Sequence, residues 1–575
     1  MHLKLLSSAL AVLALSACSD AQQADVHDLA DAWLIGFAEH DPLEARLWGV
    51  DTRGQPLIAL PVEAHEAAWL AQNRAWSAAL DQIDANGLSP AERALHANLR
   101  NKVDGTLALE VCRRDLWPLN HVAGWHLNLP NSLGVALEEA GTSLTAEQVE
   151  LWADALLTYL PAERANLEAG LNAGYSTPRS IARQVADQFD ALAELDGPLS
   201  PAGQGLPHEI ESAWLDALGT RIGPAFRDHA RYIRDTYAPQ ARAERSIAAL
   251  PNGAACYQAS LFQQTGLRVS PETLLARADA FEADAEAALV QAGHALWGLN
   301  DAEAIRARFT ALEAEQLETP EAVIATAQVD ADRLLAASAY LFPPLPDQSV
   351  RIDTYPADQR AGMTASYRPD FAQGYAGVYT LNPDSPGLRD RRTSESITSH
   401  EVAPGHHTQA MVARHAGTGT DTPLHPILTV GINNTFVEGW ANYAEILAAE
   451  EGLLRYPETE IGLWIESGEV IPIAIGFNTG LVSEADTARA ALRRRGTPDA
   501  PLTAADNVLD WLAMMPGQIL TYDLGAQALL ELRDRARSML GDRFDYPTFH
   551  RLILEEGSVP LWRVEEKIDA WIDDR

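Results

Sequence analysis

The sequence is short of positive charge. It carries 43 Lys and Arg against 80 Asp and Glu, a formal net charge of −37 over 575 residues. Nucleic acid is therefore excluded as a partner, because phosphate contacts need Lys and Arg. Docking on an anionic membrane surface is excluded by the same reasoning. So much acid reads first as a solubilising surface, and second as a preference for basic substrates. Cysteine is scarce: Cys18, Cys112 and Cys256 are all there is. None has a second Cys or a His at metal-binding spacing. Cys112 and Cys256 are read either as one disulfide in an oxidising compartment or as two buried thiols. No segment beyond the N-terminus holds ~18 uninterrupted apolar residues, so no transmembrane helix is expected. There is no Gly-x-Ser-x-Gly elbow for a serine hydrolase, no phosphate-binding Walker loop and no fixed-period repeat.

Aromatics are not scarce. The 14 Trp, 14 Tyr and 12 Phe are enough to fill a core, which argues against disorder. The length implies several domains or one large helical body.

The chain begins "MHLKLLSSALAVLALSACSD". Lys4 is followed by an apolar stretch, Leu5 to Leu15, too short to span a bilayer. Leu15 to Cys18, "LSAC", resembles the lipobox of bacterial lipoproteins. That resemblance implies a signal peptide at 1–18, a lipid on Cys18 as the sole membrane attachment, and export. Ser19 after the cysteine implies a periplasm-facing protein on the outer membrane. The alternative is an ordinary signal peptide with an incidental cysteine.

Residues 19–26 read as a polar tether. Residues 27–348 read as a helical N-terminal region, with apolar residues at three- and four-residue spacing. Ser270-Pro271-Glu272 and Thr319-Pro320-Glu321 are helix-start signals. Breaks fall at 195–207 and 341–349, which are rich in Pro and Gly. Residues 349–575 read as a metallopeptidase-like catalytic region. In it "SVRIDTYP", "MTASYRP" and "GYAGVYTLNP" predict two or three strands, followed by helices to the end. The expected fold is mainly α, with a small β-sheet and a large helical N-terminal part; the order of strands, then a helix with His400-Glu401, then a helix with Glu438, resembles that of zincins and implies a zincin-like core.

The chemistry is expected at "SHEVAPGHHTQ", residues 399–409. A zinc helix places two histidines at i and i+4 on one face. His400 and Glu401 fit, but i+4 is Pro404. Proline cannot donate to the carbonyl of His400, and Gly405 tolerates unusual backbone angles. Together they predict a kink or bulge that brings a later residue to the missing position. His406 is the first candidate. His407, about 20° away on the helical wheel but roughly 10 Å further along, is the second, or else an outer-sphere or substrate contact.

The third ligand is expected from "NNTFVEGWANYAEI". Glu438 would ligate, and Gly439 beside it permits close backbone packing. Asn442 is a candidate to orient a histidine, and Glu445 an outer partner. Glu401 would be the general base, taking a proton from a water that a zinc ion activates. Tyr522, after "MPGQ", is the candidate donor to the oxyanion, a core tyrosine being the other reading. His550 is a more distant candidate, read chiefly as structural.

"HEVAPGHHTQ", "VEGWANYAE", "MPGQILTYDLG" and "FHRLILEEGSVPL", in this order, resemble the bacterial domain-of-unknown-function family 885. "CYQASLFQQTGLRVSPETLLARA" does too, so the likeness covers roughly 250–575 well and the N-terminal part more loosely. The shape also resembles gluzincins, which implies His400, His406 and Glu438 as ligands of one zinc ion and Glu401 as general base. There are departures. Asn442 stands four after the ligand Glu, where gluzincins have an acid. Asn478-Thr479-Gly480 is followed by Val482 where the family pattern has Asp-Thr-Gly-x-His. Trp511 lies near Met-Pro-Gly-Gln, where the pattern has Arg. They leave the ligands intact and bear on the substrate pocket.

The leading function is zinc-dependent hydrolysis of peptide bonds in extracytoplasmic peptides. "GYAGVYTLNP" is expected as an edge strand that aligns an extended peptide, and the N-terminal half as a wall admitting short peptides. The alternatives are a catalytically inactive binding or scaffold lipoprotein, and a metal-dependent hydrolase of a non-peptide amide or ester.

Overall fold

The computed structural model describes residues 25–140, 144–200, 207–313, 315–346, 349–355, 360, 363–369, 376–415, 424–429, 433–467, 470–494 and 497–574. The signal peptide, Cys18 and nearly all of the tether lie outside the described residues.

The protein is mainly α-helical with one three-stranded sheet. Local chemistry sets many helix starts. In α1 (Val26–His40) Asp25 accepts from His27 N. In α2 (Pro90–Leu109) Ser89 and Glu92 form a reciprocal capping box ahead of Pro90. Helices α3 (Gly253–Thr265), α4 (Pro271–Trp297) and α5 (Pro320–Ser338) follow. The last two begin at the Ser-Pro-Glu and Thr-Pro-Glu signals. Ser270 accepts from Thr273 N, and Thr319 from Ala322 N.

The sheet comprises β1 (Val350–Thr354), β2 (Ala365–Pro369) and β3 (Gly377–Leu381) in the order β1-β3-β2. β3 pairs parallel with β1 and antiparallel with β2. The strand in "GYAGVYTLNP", expected at an edge, is thus central. The reason is its composition: Val378, Tyr379 and Leu381 are buried, and the most apolar strand takes the covered middle position. The edge beside the helices that carry His400 and His406 is β2 instead.

Two apolar clusters hold the chain together. One gathers residues from Leu43 to Ala278 with Ile471 to Leu524. The other joins α1 and α2 to the sheet and to the C-terminal helices as far as Trp571. Both clusters therefore draw side chains from each side of residue 349. Cys112, just after α2, is disulfide-bonded to Cys256 in α3, with Cα atoms 4.7 Å apart. Among the described residues no helix is long and apolar enough to cross a membrane.

Candidate metal centre

Helix α6 (Arg391–Glu401) carries His400 and Glu401 at its C-terminal end. Its start is capped by Asp390, which accepts from Arg392 N and Thr393 N. Its body is anchored by the fully buried Glu395, which pairs with the Arg333 guanidinium and accepts from Arg455 N at 2.9 Å. The helix stops at Glu401, the Ala403–Pro404 peptide is cis, and α7 (His406–His415) begins two residues later. The expected kink is a full break. Pro404 has no N–H to continue the ladder. Gly405 lies so close to the preceding turn that a Cβ there would sit 1.7 Å from the His400 carbonyl oxygen. Trp440 donates from its indole to the carbonyls of Pro404 and Gly405, at 3.1 and 3.2 Å. The break is thus stitched to α8 (Asn434–Glu450), the helix that supplies Glu438.

The break turns His406 toward His400. Their ring centroids are 4.9 Å apart and the planes cross at 88°. One oxygen of Glu438 lies 3.6 Å from His400 Nε2 and 3.5 Å from His406 Nε2. The three donor atoms all lie within 4.8 Å of one another. Glu438 reaches this point because α8 packs backbone to backbone on α9 (Leu520–Leu540): a Cβ on Gly439 would be 2.3 Å from the Gly525 Cα. His407, the other candidate, turns away. It is fully buried, with Nδ1 3.1 Å from the Tyr367 hydroxyl on β2.

A carboxylate orients His400. Glu445 Oε1 is 2.8 Å from His400 Nδ1, and the other Glu445 oxygen accepts from the Ser396 hydroxyl. With Nδ1 held as a donor to Glu445, Nε2 is the nitrogen that would give up its proton and offer a lone pair to a metal ion beside Glu438. The orienting role expected of Asn442 belongs to Glu445, one turn further along; Asn442 instead lines an adjoining cavity. His406 Nδ1 lies 3.3 Å from Gln409 Oε1.

The electrostatics follow from this crowding. Burial alone would lower the pKa of His400, but its hydrogen bonds to Glu438 and Glu445 outweigh it and hold the value well above the usual one. Burial alone would raise Glu438; the two imidazoles outweigh that and keep its carboxyl well below the usual range. Glu401 is only 7% exposed, and burial raises its pKa, partly offset by the imidazoles and reinforced by Glu438 and Glu445. The structure brings Tyr522 into this cluster as well. Its ring stacks on His400 at 6.3 Å, and its hydroxyl pKa is raised by burial and then by the Glu438 charge. Gln518 donates to the Tyr522 hydroxyl at 3.5 Å and accepts from the Trp511 indole at 3.2 Å.

His550 is not part of the site. It is fully buried, hydrogen-bonded to the Tyr443 hydroxyl at 3.0 Å and the Leu341 carbonyl at 2.8 Å. Asn478 is a core residue too, donating to the Leu512 carbonyl at 3.1 Å. Two imidazole nitrogens and one ionised carboxylate oxygen, one imidazole braced by a second carboxylate, are a donor set that suits a single zinc ion with a position left open. Sequence reasoning missed Trp440 and Ser396. Their only signal was proximity to the ligand motifs, two residues past Glu438 and four before His400.

A family model described as bacterial protein of unknown function (DUF885) matches residues 42–568. No curated protein matches the sequence. Among solved structures, a candidate lipoprotein from Colwellia psychrerythraea superposes with a TM-score of 0.79 at 17% identity, over 96% of this chain and 100% of that one. A candidate lipoprotein of unknown function from Shewanella oneidensis gives 0.72 at 16% identity, over 94% of this chain and 99% of its own. At such identity the likeness is one of fold. The family match spans nearly the whole chain, and the protein belongs to the DUF885 family of bacterial proteins.

Proposed function

We propose that this protein is a zinc-dependent peptidase acting on extracytoplasmic peptides. One observation carries the reading: His400, His406 and Glu438 offer donor atoms within 4.8 Å of one another, with the buried carboxyl of Glu401 next in sequence to the first of them. His400 and His406 would hold the ion through Nε2, and Glu438 through a carboxylate oxygen. A bound zinc supplies Lewis acidity, to a water and to the substrate carbonyl.

The chain's own residues do the rest. Glu401 accepts a proton at its carboxylate as the nucleophile forms and returns it to the departing amine. Burial raises its pKa above the ordinary carboxylate value, the direction that helps it hold the proton it takes. Tyr522 stays protonated, because burial and the Glu438 charge disfavour its phenolate. It is the candidate donor to the developing oxyanion. Glu445 and Ser396 orient His400. The β2 edge, tied to α7 through Tyr367 and His407, is the place for an extended peptide to align. Helix α4 of the N-terminal region places Phe281 on the wall of the adjoining cavity, in keeping with access restricted to short peptides.

The same reading places the protein outside the cytoplasm, anchored to the outer membrane by a lipid on Cys18. The "LSAC" segment supports it, as does the lipoprotein description of two relatives in fold. Metal analysis and peptide cleavage test the reading. The purified protein is expected to hold about one zinc and to cleave oligopeptides. Glu401→Gln is expected to keep the metal and lose about 10²–10⁴-fold in turnover. Cleavage that survives both chelation and Glu401→Gln would sink the mechanism. Metal and peptide binding without any cleavage would make the protein a binding lipoprotein instead.

A further inference from the structure

Tyr522 can donate to an oxyanion only if its hydroxyl proton points toward the metal centre, and two residues outside that centre decide the direction. An indole N–H donates and never accepts. Trp511 Nε1 lies 3.2 Å from the Gln518 side chain, so the amide atom that faces it is the oxygen, Oε1. That leaves the amide nitrogen, which also only donates, facing the Tyr522 hydroxyl at 3.5 Å. The phenol oxygen therefore accepts from Gln518, and its own hydrogen turns elsewhere. The Tyr522 ring stacks on His400, and after burial the Glu438 charge does most to raise the hydroxyl pKa, so the hydroxyl looks toward the triad. The hydrogen bonds thus run one way, from Trp511 to Gln518 to Tyr522 and on to the centre. The backbone holds both outer residues. Trp511 sits on the helix Asp506–Met514, where its buried neighbour Asp510 accepts from Arg245 Nε and Gln184 Nε2, each at 2.6 Å. Gln518 follows Gly517, whose φ is +94° and whose missing Cβ would lie 3.3 Å from the Leu261 Cα of α3. Gln518 N donates to the Met515 carbonyl at 3.1 Å, and the Gln518 carbonyl accepts from Thr521 Oγ1 at 2.6 Å.

We propose that Trp511 and Gln518 are positioning residues that aim the Tyr522 proton into the metal centre, so that a developing oxyanion meets a donor already pointed at it. The inference rests on the peptidase reading and deepens the role given there to Tyr522. Direction fixed in advance counts, because a donor that must reorient during the reaction gives back part of its stabilisation. An apolar side chain at 518 leaves the hydroxyl free to rotate. Loss of the Trp511 indole N–H lets the Gln518 amide turn over, which has the same effect in part.

Acetohydroxamate binding to the zinc-loaded protein, read by calorimetry, tests this without any peptide. The carbonyl oxygen of this zinc-binding probe stands in for the oxyanion. Tyr522→Phe is expected to weaken binding by about tenfold, Gln518→Met by nearly as much, and Trp511→Phe by less. In the Tyr522→Phe background Gln518→Met is expected to change nothing further, a result that a merely structural role for Gln518 would not give. Zinc affinity should be unchanged in Gln518→Met and Trp511→Phe, because neither side chain hydrogen-bonds to a ligand. Should Gln518→Met not fold, Trp511→Phe, on an exposed side chain, supplies the same cycle. Where peptides are cleaved, Gln518→Met is expected to lower kcat by about tenfold with KM nearly unchanged. Hydroxamate losses that vanish in the Tyr522→Phe background uphold the chain of donors even if the wild type cleaves no peptide, a result that sinks the peptidase reading alone. Full hydroxamate affinity in Gln518→Met, or an equal loss with and without the Tyr522 hydroxyl, overturns the chain, and continued cleavage would then leave the peptidase reading standing. A protein that takes up no zinc overturns both.

Discussion

Helix α8 has two faces, and each meets a histidine. On one face Glu438 and Glu445 bracket His400. On the other Tyr443 bonds to His550, with the Trp440 ring 5.4 Å away. His550 is fully buried and His400 largely so, yet their proton affinities move in opposite directions. His550 has only neutral hydrogen-bond partners, and burial pushes its pKa down to about 3. His400 is lifted well above its ordinary value, because two carboxylates outweigh the same burial. Burial by itself therefore marks a core histidine. Burial against paired carboxylates marks a centre built to hold positive charge, whether a proton or a metal ion.

The sharpest way to break this comparison is to delete the neighbours His406 and His407 in turn. His406→Ala is expected to cost roughly 10³-fold or more in zinc affinity, since it removes one of three donors, and His407→Ala less than about tenfold. Equilibrium dialysis with a competing chelator measures both, and equal losses would reverse the assignment of the ligand. Glu445→Gln comes next. It should lower zinc affinity by about 10–100-fold, the usual cost of losing the partner that orients a metal-bound histidine.

On the other face, His550→Ala should leave zinc content intact and destabilise the fold by about 3 kcal/mol, through an unfilled core site and a stranded Tyr443 hydroxyl. Denaturant unfolding with metal analysis reads both effects. A loss of zinc in this variant would join the two faces into one site.

The smallest effect is a difference in slope with pH. His550 binds fewer protons folded than unfolded between pH 6.5 and about 3, so its contribution to stability is lost as pH falls through that window. In chelated protein His400 does the opposite. Its contribution is fully present below 6.5 and is lost as pH rises through its elevated folded value. Unfolding measured across pH 4–9 should thus lose acid sensitivity in the His550 variant and alkaline sensitivity in His400→Ala.

Several of these features were legible in the residues alone. The helix starts at Pro271 and Pro320 follow from caps whose side chains act within a few residues. Gly439 marked a close approach because only a residue without Cβ fits against Gly525. The strands were visible in their β-branched and aromatic content, but their order was not. β3 read as an edge because alternation and turn residues say nothing about which neighbour lies on each side, and burial placed it in the middle. Asn442 and Glu445 lie on the same face of one helix as Glu438. Spacing could not tell which of them meets His400, since that depends on how α6 crosses α8.

The sequence by itself determined the short-range chemistry of this protein. It set a mainly helical chain, an acidic surface, two histidines around a proline-glycine break and a glutamate on a later helix. These are legible because caps, periodicity and the missing proline N–H act over one or two turns. Only the tertiary structure decided that His406 rather than His407 faces His400, that Cys112 meets Cys256 across 144 residues, and that Trp440 holds the break in place. Those outcomes depend on the packing of elements far apart along the chain, where a rotation of one residue on a helix turns a side chain by about 100°.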